Sequence, residues 1–307
     1  MRELDSASWD ALDGLDAYYR RPYVEAAALL DGGRAFLLEH QGTVFAGVER
    51  DEPRDVVTPY GYGGPTGDGG FWDAYGQWAR ERGLVSTFVR FHPLLANQRD
   101  APIHVEPLAP TVAWRLEPDR DLLAGLHFKH RNKVTKAEKA GATVTQHDGL
   151  GDFVPLYEDT MRRLDADDFY LFEPSYWERL ADLPLARFDA AIDGEVVASA
   201  LCLATPPWLH YHLSGTTDSG RSTGSSTLVL FEAARWAQGH GYERFHLGGG
   251  LGGRADSLHH FKARFDPEGL VEAAVGKAIH DEDAYRRLSG TTTTDGFFPA
   301  YRGTVPA

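Results

Sequence analysis

The sequence predicts an α/β (α+β) protein in which one structural plan occurs twice. Each half of the chain shows helices, a strand hairpin, a further strand, a helix and another strand, in that order. Alternating apolar residues indicate the strands, and apolar residues at helical spacing indicate the helices. The repetition is one of pattern, because no sequence period is visible. We therefore expect a first domain over residues 1–112, a second over residues 113–290, and a tail over residues 291–307 that docks back onto the first domain.

The first half begins with a helical pattern over residues 6–30. A hairpin of residues 35–39 and 43–49 follows, and then a glycine-rich loop over residues 58–70. The segments that complete this half are a helix at about 71–82, a strand at 85–91, irregular or edge-like residues at 102–110 and a strand at 112–116.

The second half repeats the plan. Its predicted helices lie at about 121–139, 151–164, 174–183 and 227–238, and its predicted strands at 143–146, 186–192, 195–203 and 208–214. It closes on residues 242–265, where a short strand, a loop rich in glycine and a helical turn follow one another. An aromatic residue and a lysine, Phe261 and Lys262, stand in that turn just after the loop. A surface lysine is the ordinary explanation for this position.

The charge and the cysteine content limit the possible functions. A formal charge of −14 at pH 7 argues against a generic nucleic-acid-binding protein, because phosphate contacts supply most non-specific affinity. A local basic patch is still compatible with an acidic chain. The single cysteine, Cys202, excludes an internal disulfide. The N-terminus lacks the apolar stretch of a signal peptide, and no apolar run approaches the length of a membrane span, so we expect a cytoplasmic protein.

Residues 129–139 form a basic segment with one acid, Glu138. On a helix, Lys129, Lys133 and Lys136 share a face because they are spaced at i, i+4 and i+7. A solvated helix face is the ordinary explanation of such a run. In a strongly acidic chain, clustered like charges also favour an anionic partner, and phosphate suits such clusters. The five candidate phosphate contacts are Lys129, Arg131, Lys133, Lys136 and Lys139.

Residues 220–226, GRSTGSS, precede the predicted helix at 227–238. Arg221 and Gly224 fit the Arg/Gln-x-x-Gly-x-Gly/Ala loop with which GNAT acetyltransferases bind the pyrophosphate of coenzyme A, whereas Ser226 departs from it. Backbone N–H groups at a helix N-terminus bind such anions. Serine and threonine before a helix are also ordinary caps.

The sequence predicts no metal site. The pairs His210/His212 and His259/His260 lack a third ligand at metal spacing, which favours a structural role. The acidic residues from Asp165 onward lack the glycine of a calcium loop.

Taken together, these segments resemble the FemABX family of aminoacyl-tRNA-dependent transferases, a FemAB-like branch of the GNAT superfamily. The strongest match is the strand, glycine loop and Phe-Lys-x-x-Phe segment that ends in Phe261, Lys262 and Phe265. The other matching segments, in order, are TPYGYGGPTGD at 58–68, HFKHRNKVTKAEKAG at 127–141, YHLSGTT at 211–217 and FFPAYR at 297–302. The resemblance implies two tandem GNAT-like domains with a cleft between them.

The resemblance also implies an activity, namely transfer of an aminoacyl group from the 3′ end of a tRNA to an amine. The acceptor would be a small peptide, such as a nucleotide-linked peptidoglycan precursor or a peptide natural product. Aminoacyl-tRNA would be the co-substrate, with no further cofactor.

The same resemblance implies roles for individual residues. Lys262 would stabilise the tetrahedral oxyanion, Phe261 would stack on or pack against the terminal adenosine, and Asp68 would position or deprotonate the acceptor amine. The basic face at 129–139 would meet tRNA phosphates. The acceptor-site candidates are Tyr60, Tyr62, Arg162, Tyr170, Tyr211 and Ser214.

Two other functions stay open. The loop at 220–226 favours an acyl-CoA-dependent GNAT N-acyltransferase, which acetyl-CoA would stabilise against heat. The second alternative is a non-catalytic module that captures a peptide or RNA, and Lys262 would be dispensable for such a module.

Overall fold

The computed structural model describes residues 1–67 and 70–303. The chain divides into two compact units: unit 1 contains Met1–Leu108 and Glu272–Ala307, and unit 2 contains Ala109–Val271. Residues 272–290, which the sequence analysis assigned to the second domain, lie in unit 1 in the structure. Among the described residues, no helix has both the length and the apolar character needed to cross a membrane.

The N-terminal part of unit 1 contains the predicted hairpin and the predicted amphipathic helix. Its elements are β1 (Arg2–Glu3), α1 (Ser6–Asp10), α2 (Arg21–Asp31), β2 (Arg34–His40), β3 (Thr43–Arg50), β4 (Asp55–Val57), α3 (Phe71–Glu81) and β5 (Ser86–Arg90). The hairpin β2–β3 is antiparallel, and β4 runs parallel to β5. Phe71, Tyr75 and Ala79 lie on one side of α3 and are fully buried against this sheet, as their helical spacing predicts.

Unit 2 forms a sheet with the order β6-β11-β10-β9-β8-β7. Its elements are β6 (His104–Arg115, which begins in unit 1), α4 (Leu122–Gly125), α5 (Phe128–Lys139), β7 (Thr143–Asp148), α6 (Phe153–Arg163), α7 (Pro174–Leu180), β8 (Leu185–Ile192), β9 (Glu195–Thr205), β10 (Trp208–Thr216), α8 (Asp218–Thr223), α9 (Ser225–Gly239), β11 (Arg244–Gly248) and α10 (Ser257–Ala263). All neighbouring pairs are antiparallel except β10 and β11, which are parallel.

The helix predicted over residues 121–139 is two helices, α4 and α5, in the structure. The chain leaves the helical conformation at Leu126 and His127, and the His127 side chain caps α5 by accepting a hydrogen bond from the Lys129 N–H. The Arg131 guanidinium donates to the carbonyls of Ala124 and Leu126 and so satisfies the end of α4. A pattern of apolar spacing does not reveal such a break, because both helices bury residues in the same core.

The C-terminal part of the chain completes unit 1 with β12 (Leu270–Ile279, whose first two residues lie in unit 2) and α11 (Glu282–Ser289). The unit 1 sheet has the order β1-β2-β3-β4-β5-β12, and β12 is antiparallel to β5. The tail lies against this unit. Phe298 packs on Tyr285 at a ring-centroid distance of 5.7 Å, and the Arg302 guanidinium is 3.0 Å from the buried Asp55 carboxylate.

Candidate active site

The strands β10 and β11 pair over a short register and then end at different points. The register runs from Trp208 opposite Arg244 to His210 opposite His246. Strand β10 continues to Thr216, whereas β11 ends at Gly248 and turns into the glycine loop, which we define as residues 248–253. The chain therefore presents Tyr211 on one strand and Gly249 beyond the other, just past the paired residues.

Lys262 lies between these two positions. Helix α10 carries its side chain inward, so that Lys262 is only 8% exposed. The Lys262 Nζ donates a hydrogen bond to the Gly249 carbonyl at 2.8 Å and lies 5.6 Å from the centroid of the Tyr211 ring. An ammonium group over an aromatic face is attracted by the ring quadrupole. The ordinary explanation of this position, a lysine on the surface, is wrong, because the side chain is buried.

Burial lowers the pKa of Lys262 to about 8, since a charged amine is poorly solvated in the interior, and the nearby Asp256 carboxylate acts in the opposite direction. At neutral pH the protonated form predominates, and a neutral amine is accessible within one pH unit. An ammonium with this pKa can donate hydrogen bonds to a developing oxyanion and can also exchange protons near physiological pH.

Tyr211 and Ser214, two of the acceptor-site candidates, lie together on β10, and the Tyr211 ring faces Lys262. A β-bulge between Tyr211 and Leu213 breaks the alternation of β10 and brings the Tyr211 hydroxyl within 2.5 Å of the Ser214 Oγ. Burial raises the pKa of Tyr211 to about 12, so this phenol is protonated at neutral pH and can donate a hydrogen bond.

The glycine loop is folded around the carboxylate of Asp256. One oxygen accepts a hydrogen bond from the Leu251 N–H at 2.9 Å, and the other caps α10 by accepting from the His259 N–H at 2.9 Å. A Cβ at Gly250 would lie 2.3 Å from this carboxylate and 2.1 Å from the Arg254 carbonyl, so only glycine fits there. Asp256 is not among the site residues predicted from the sequence, although an aspartate just before a helical turn is a recognised N-cap signal.

His259 is another buried residue of α10 that the sequence analysis treated as structural. It is one helical turn before Lys262, so the two side chains leave the same side of the helix. In the part of the chain that the structure describes, both His259 ring nitrogens are buried without a hydrogen-bond partner. A buried polar group without a hydrogen-bond partner costs free energy. Such groups occur at functional sites and at sites that hold an ordered water.

Phe261 joins α10 to α5. Its carbonyl accepts a hydrogen bond from the His130 Nε2 at 2.9 Å, and the Arg264 carbonyl accepts one from the His127 N–H at 2.9 Å. The Phe261 ring packs 4.9 Å from the His130 ring and lies under the Lys133 ammonium at 5.6 Å. Burial lowers the pKa of His130 to about 4, so this imidazole is neutral and holds its proton on Nε2.

The basic helix α5 exposes four of its five predicted cations. These are Lys129, Lys133, Lys136 and Lys139. The Lys136 Nζ donates to the Ser222 carbonyl at 2.6 Å, and burial, with a smaller effect of Arg264, lowers the pKa of Lys133. Arg131 differs, because its guanidinium is engaged by the end of α4. The predicted phosphate-binding set is thus divided between one structural arginine and a lysine face.

Arg162 and Tyr170 have their contacts elsewhere in unit 2. Arg162 is 58% exposed on its side chain and pairs with Glu158 and Asp159 of its own helix, at 2.7 and 3.3 Å. Tyr170 ends a 3₁₀ turn, where its carbonyl accepts from the Tyr157 hydroxyl and its ring packs on Phe169.

The candidates Tyr60 and Tyr62 belong to unit 1. The Tyr60 carbonyl accepts a hydrogen bond from the Tyr23 hydroxyl at 2.7 Å, and the Tyr62 ring packs edge-on against Tyr18 at 5.3 Å. Asp68 lies outside the described residues, so its suggested role stays a prediction.

The segment at 220–226, which resembles a coenzyme A loop in sequence, is largely helical. Residues up to Thr223 belong to α8, and Arg221 pairs with Asp218 of the same helix at 2.7 Å. Gly224 has a φ of 90° and caps α9, and a Cβ there would lie 2.8 Å from the Lys133 carbonyl. The start of α9 is thus packed closely against α5.

Comparison with known proteins places this architecture among GNAT folds. Residues 128–263 match the model of an acetyltransferase (GNAT) domain. No curated protein sequence matches the chain. Among solved structures, FemX is 14% identical, with a TM-score of 0.67 over 94% of this chain and 99% of that chain.

Two further solved structures have the same fold. One is L-PGS from Bacillus licheniformis, which is 14% identical, with a TM-score of 0.53 over 88% of this chain and 94% of that one. The other is the C-terminal domain of a protein described as a lysylphosphatidylglycerol synthetase from Agrobacterium fabrum, 17% identical, with a TM-score of 0.57 over 85% and 92% of the two chains. At the level of the fold, the predicted FemABX-like resemblance and the tandem GNAT-like class are confirmed, and the fold is of the GNAT acyltransferase type.

Proposed function

We propose that the chain is an aminoacyltransferase that moves an amino acid from aminoacyl-tRNA to an amine of a peptide acceptor and forms a peptide bond. One observation carries the proposal: the ammonium of Lys262 is buried where β10 and β11 part, on a helix joined through backbone carbonyls to α5 with its exposed lysines. A donor whose reactive carbonyl is attached to a polyanion would use both features. The enzyme would encounter such a donor in the cytoplasm.

The proposed reaction is aminolysis of an ester. The acceptor nitrogen attacks the aminoacyl carbonyl, the bond from that carbon to the ribose oxygen breaks, and a proton passes from the attacking nitrogen to the leaving oxygen. An α-amine has a pKa of roughly 8, so a usable neutral fraction exists at neutral pH. The larger demand is the negative charge that develops on the carbonyl oxygen. No cofactor is needed, because the ester is already activated.

Lys262 is the proposed donor to this oxyanion. A positioned hydrogen-bond donor of this kind contributes about 2.7–4 kcal/mol, which corresponds to roughly 10²–10³ in kcat. Its hydrogen bond to the Gly249 carbonyl and the Tyr211 ring beneath it hold the ammonium in place before substrate arrives. Preorganisation of this type avoids the cost of reorienting the donor during the reaction.

The other candidates receive proposed roles according to their contacts. Tyr211 and Ser214 would contact the acceptor, since the Tyr211 ring faces the Lys262 Nζ and the Tyr211 hydroxyl meets the Ser214 Oγ. Phe261 would fix the distance between Lys262 and the lysine face, because its ring and carbonyl are bound by α5. Lys129, Lys133, Lys136 and Lys139 would contact tRNA phosphates. Asp68, Tyr60 and Tyr62 are retained as acceptor-side candidates from the resemblance alone.

A second candidate function is acyl transfer from an acyl-CoA, which the match of residues 128–263 to an acetyltransferase domain favours. The helical form of residues 218–223 and the pairing of Arg221 with Asp218 count against a pyrophosphate cradle at this point. Thermal stabilisation by acetyl-CoA, measured beside stabilisation by deacylated tRNA, distinguishes the two donors.

The identifying experiment uses a pool of radiolabelled aminoacyl-tRNAs with a panel of acceptors. The panel contains a nucleotide-linked peptide, short peptides with amine termini, and phosphatidylglycerol vesicles because of the lipid named in a similar structure. Label on an amine, lost in Lys262→Ala and retained in Arg235→Ala, supports the proposal. Arg235 is the control because it is an exposed cation of α9 that pairs with Glu232 on its own helix. Label on the lipid would correct the acceptor, and no transfer from any tRNA would refute the proposed donor.

A further inference from the structure

The carboxylate of Asp256 connects the glycine loop to helix α10, which carries Lys262. It accepts the Leu251 N–H of the glycine loop, and it caps α10 through the His259 N–H, each at 2.9 Å. Six residues later on the same helical segment, the Lys262 Nζ reaches back to the Gly249 carbonyl at 2.8 Å. The loop and the helix are thus joined at two places. The Asp256 carboxylate joins them at the start of α10, and the contact between the Lys262 ammonium and the Gly249 carbonyl joins them again further along the helix.

The fit of the loop to this carboxylate is close. A side chain at Gly250 would collide with Asp256 and with the Arg254 carbonyl, so the loop backbone lies directly against the carboxylate. Gly252 and Gly253 adopt φ values of 61° and 70°, which few other residues tolerate. The loop has little side-chain packing of its own, since Leu251 is exposed. Its conformation, and with it the position of the Gly249 carbonyl, therefore depends on the hydrogen bonds of Asp256.

We propose that Asp256 is a positioning residue: its carboxylate holds the glycine loop against the N-terminus of α10, so that the Gly249 carbonyl and the Lys262 ammonium meet where β10 and β11 part. The inference rests on the proposed function for its catalytic meaning, since Lys262 is the proposed oxyanion donor. Its structural content does not depend on which substrate is used.

The charge of Asp256 acts in the same direction as its hydrogen bonds. Hydrogen bonds from the backbone N–H groups of His259 and Leu251 lower the pKa of Asp256, so it is ionised at neutral pH. The titratable groups on the elements around the Lys262 ammonium include Asp256 at the start of α10, His259 one turn before Lys262 on the same helix, and Tyr211 on β10, whose phenol is neutral. The Asp256 carboxylate thus favours the ammonium form that burial disfavours.

The test measures the protonation of Lys262 directly. The chain has six lysines, which are Lys129, Lys133, Lys136, Lys139, Lys262 and Lys277. An isotope-labelled sample therefore gives a side-chain NMR spectrum simple enough to assign, and Lys262→Arg identifies the Lys262 signal. In Asp256→Asn, one amide oxygen still caps α10, but the NH₂ group cannot accept from Leu251 and the charge is lost. We expect the titration midpoint of Lys262 to fall below its wild-type value, and its signals to broaden as the contact with Gly249 is lost.

A second variant and a control complete the experiment. Asp256→Ser keeps a helix cap without the charge and without the reach to Leu251, so it should lower the midpoint as Asp256→Asn does. Asp193→Asn, at an exposed turn of φ 52° between β8 and β9, should leave the midpoint unchanged. An unchanged Lys262 titration in both Asp256→Asn and Asp256→Ser overturns the proposal. Because no substrate is present, this outcome is independent of whether aminoacyl-tRNA is the donor.

Discussion

Replacement of Asp266 tests how the segment that follows Lys262 is anchored. The Asp266 carboxylate is fully buried and accepts hydrogen bonds from both Arg115 and Arg120, at 2.9–3.1 Å. Asp266→Asn removes the negative charge and leaves the two guanidinium groups facing a neutral amide. Breaking a buried ion pair by removal of one partner costs about 3–5 kcal/mol. Both arginines are partly exposed and can be hydrated, so we expect the lower end of this range.

For a unit of this size, a loss of about 3 kcal/mol lowers Tm by roughly 6–12 °C. Thermal unfolding followed by circular dichroism measures the change, and Glu268→Gln is the matched control. Glu268 also pairs with Arg115, at 3.1 Å, but its side chain is 84% exposed, so its loss should cost less than about 1 kcal/mol. A Tm of Asp266→Asn within about 2 °C of wild type would show that this carboxylate does not anchor the segment.

The stability difference between wild type and Asp266→Asn depends on pH in a definite direction. Burial alone would raise the pKa of Asp266, but the hydrogen bonds from Arg115 and Arg120 lower it below its ordinary value. A carboxylate with a lowered folded-state pKa stabilises the protein above its unfolded pKa of roughly 3.9, and this contribution is lost as the pH falls through the folded value. The gap between wild type and Asp266→Asn should therefore be constant near neutrality and should narrow only in strong acid.

Three further predictions concern the site and its support. Gly224→Ala should destabilise the chain by more than Gly241→Ala, because both have a left-handed φ but only the first Cβ would meet a backbone atom, the Lys133 carbonyl at 2.8 Å; thermal unfolding of the pair measures the difference. Lys129→Ser should weaken tRNA binding and reduce the slope of log K against log salt by about 1, whereas Arg235→Ala, which removes an exposed arginine of α9, should change neither quantity. Because burial lowers the pKa of Lys262 to about 8, the ammonium is lost as the pH rises through 8, and kcat should show an alkaline decline that Lys262→Arg abolishes; an unchanged decline in that variant would assign it to another group.

The sequence predicts those elements that local pattern specifies. The apolar segments of β2 and β3 on either side of Gln41 and Gly42, and the apolar side of α3, lead directly to the observed elements. Strand β12 was missed because LVEAAVGKAI contains helix-favouring alanines, and its strand conformation depends on pairing with the distant β5. The division of residues 121–139 into α4 and α5 likewise depends on a side chain, Arg131, that caps the first helix from the second.

The candidate site shows the same division between local and long-range information. Lys262 and the basic helix stand out in the sequence, but spacing does not reveal that Lys262 is buried or that its partners are the Gly249 carbonyl and the Tyr211 ring. These contacts join residues from the end of β11 and the bulge of β10, which only the fold brings together. Arg131 could not be separated from the neighbouring lysines by residue type, since its structural role arises from the bend between α4 and α5.

The most direct test of the central claim is single-turnover transfer from aminoacyl-tRNA to the acceptor that the pooled assay identifies. Wild type and Lys262→Ala are compared at saturating donor, so that differences in tRNA binding do not contribute. If the Lys262 ammonium stabilises the oxyanion, the variant should retain tRNA affinity and lose roughly 10²–10³ in rate. Equal rates for the two proteins would contradict the account.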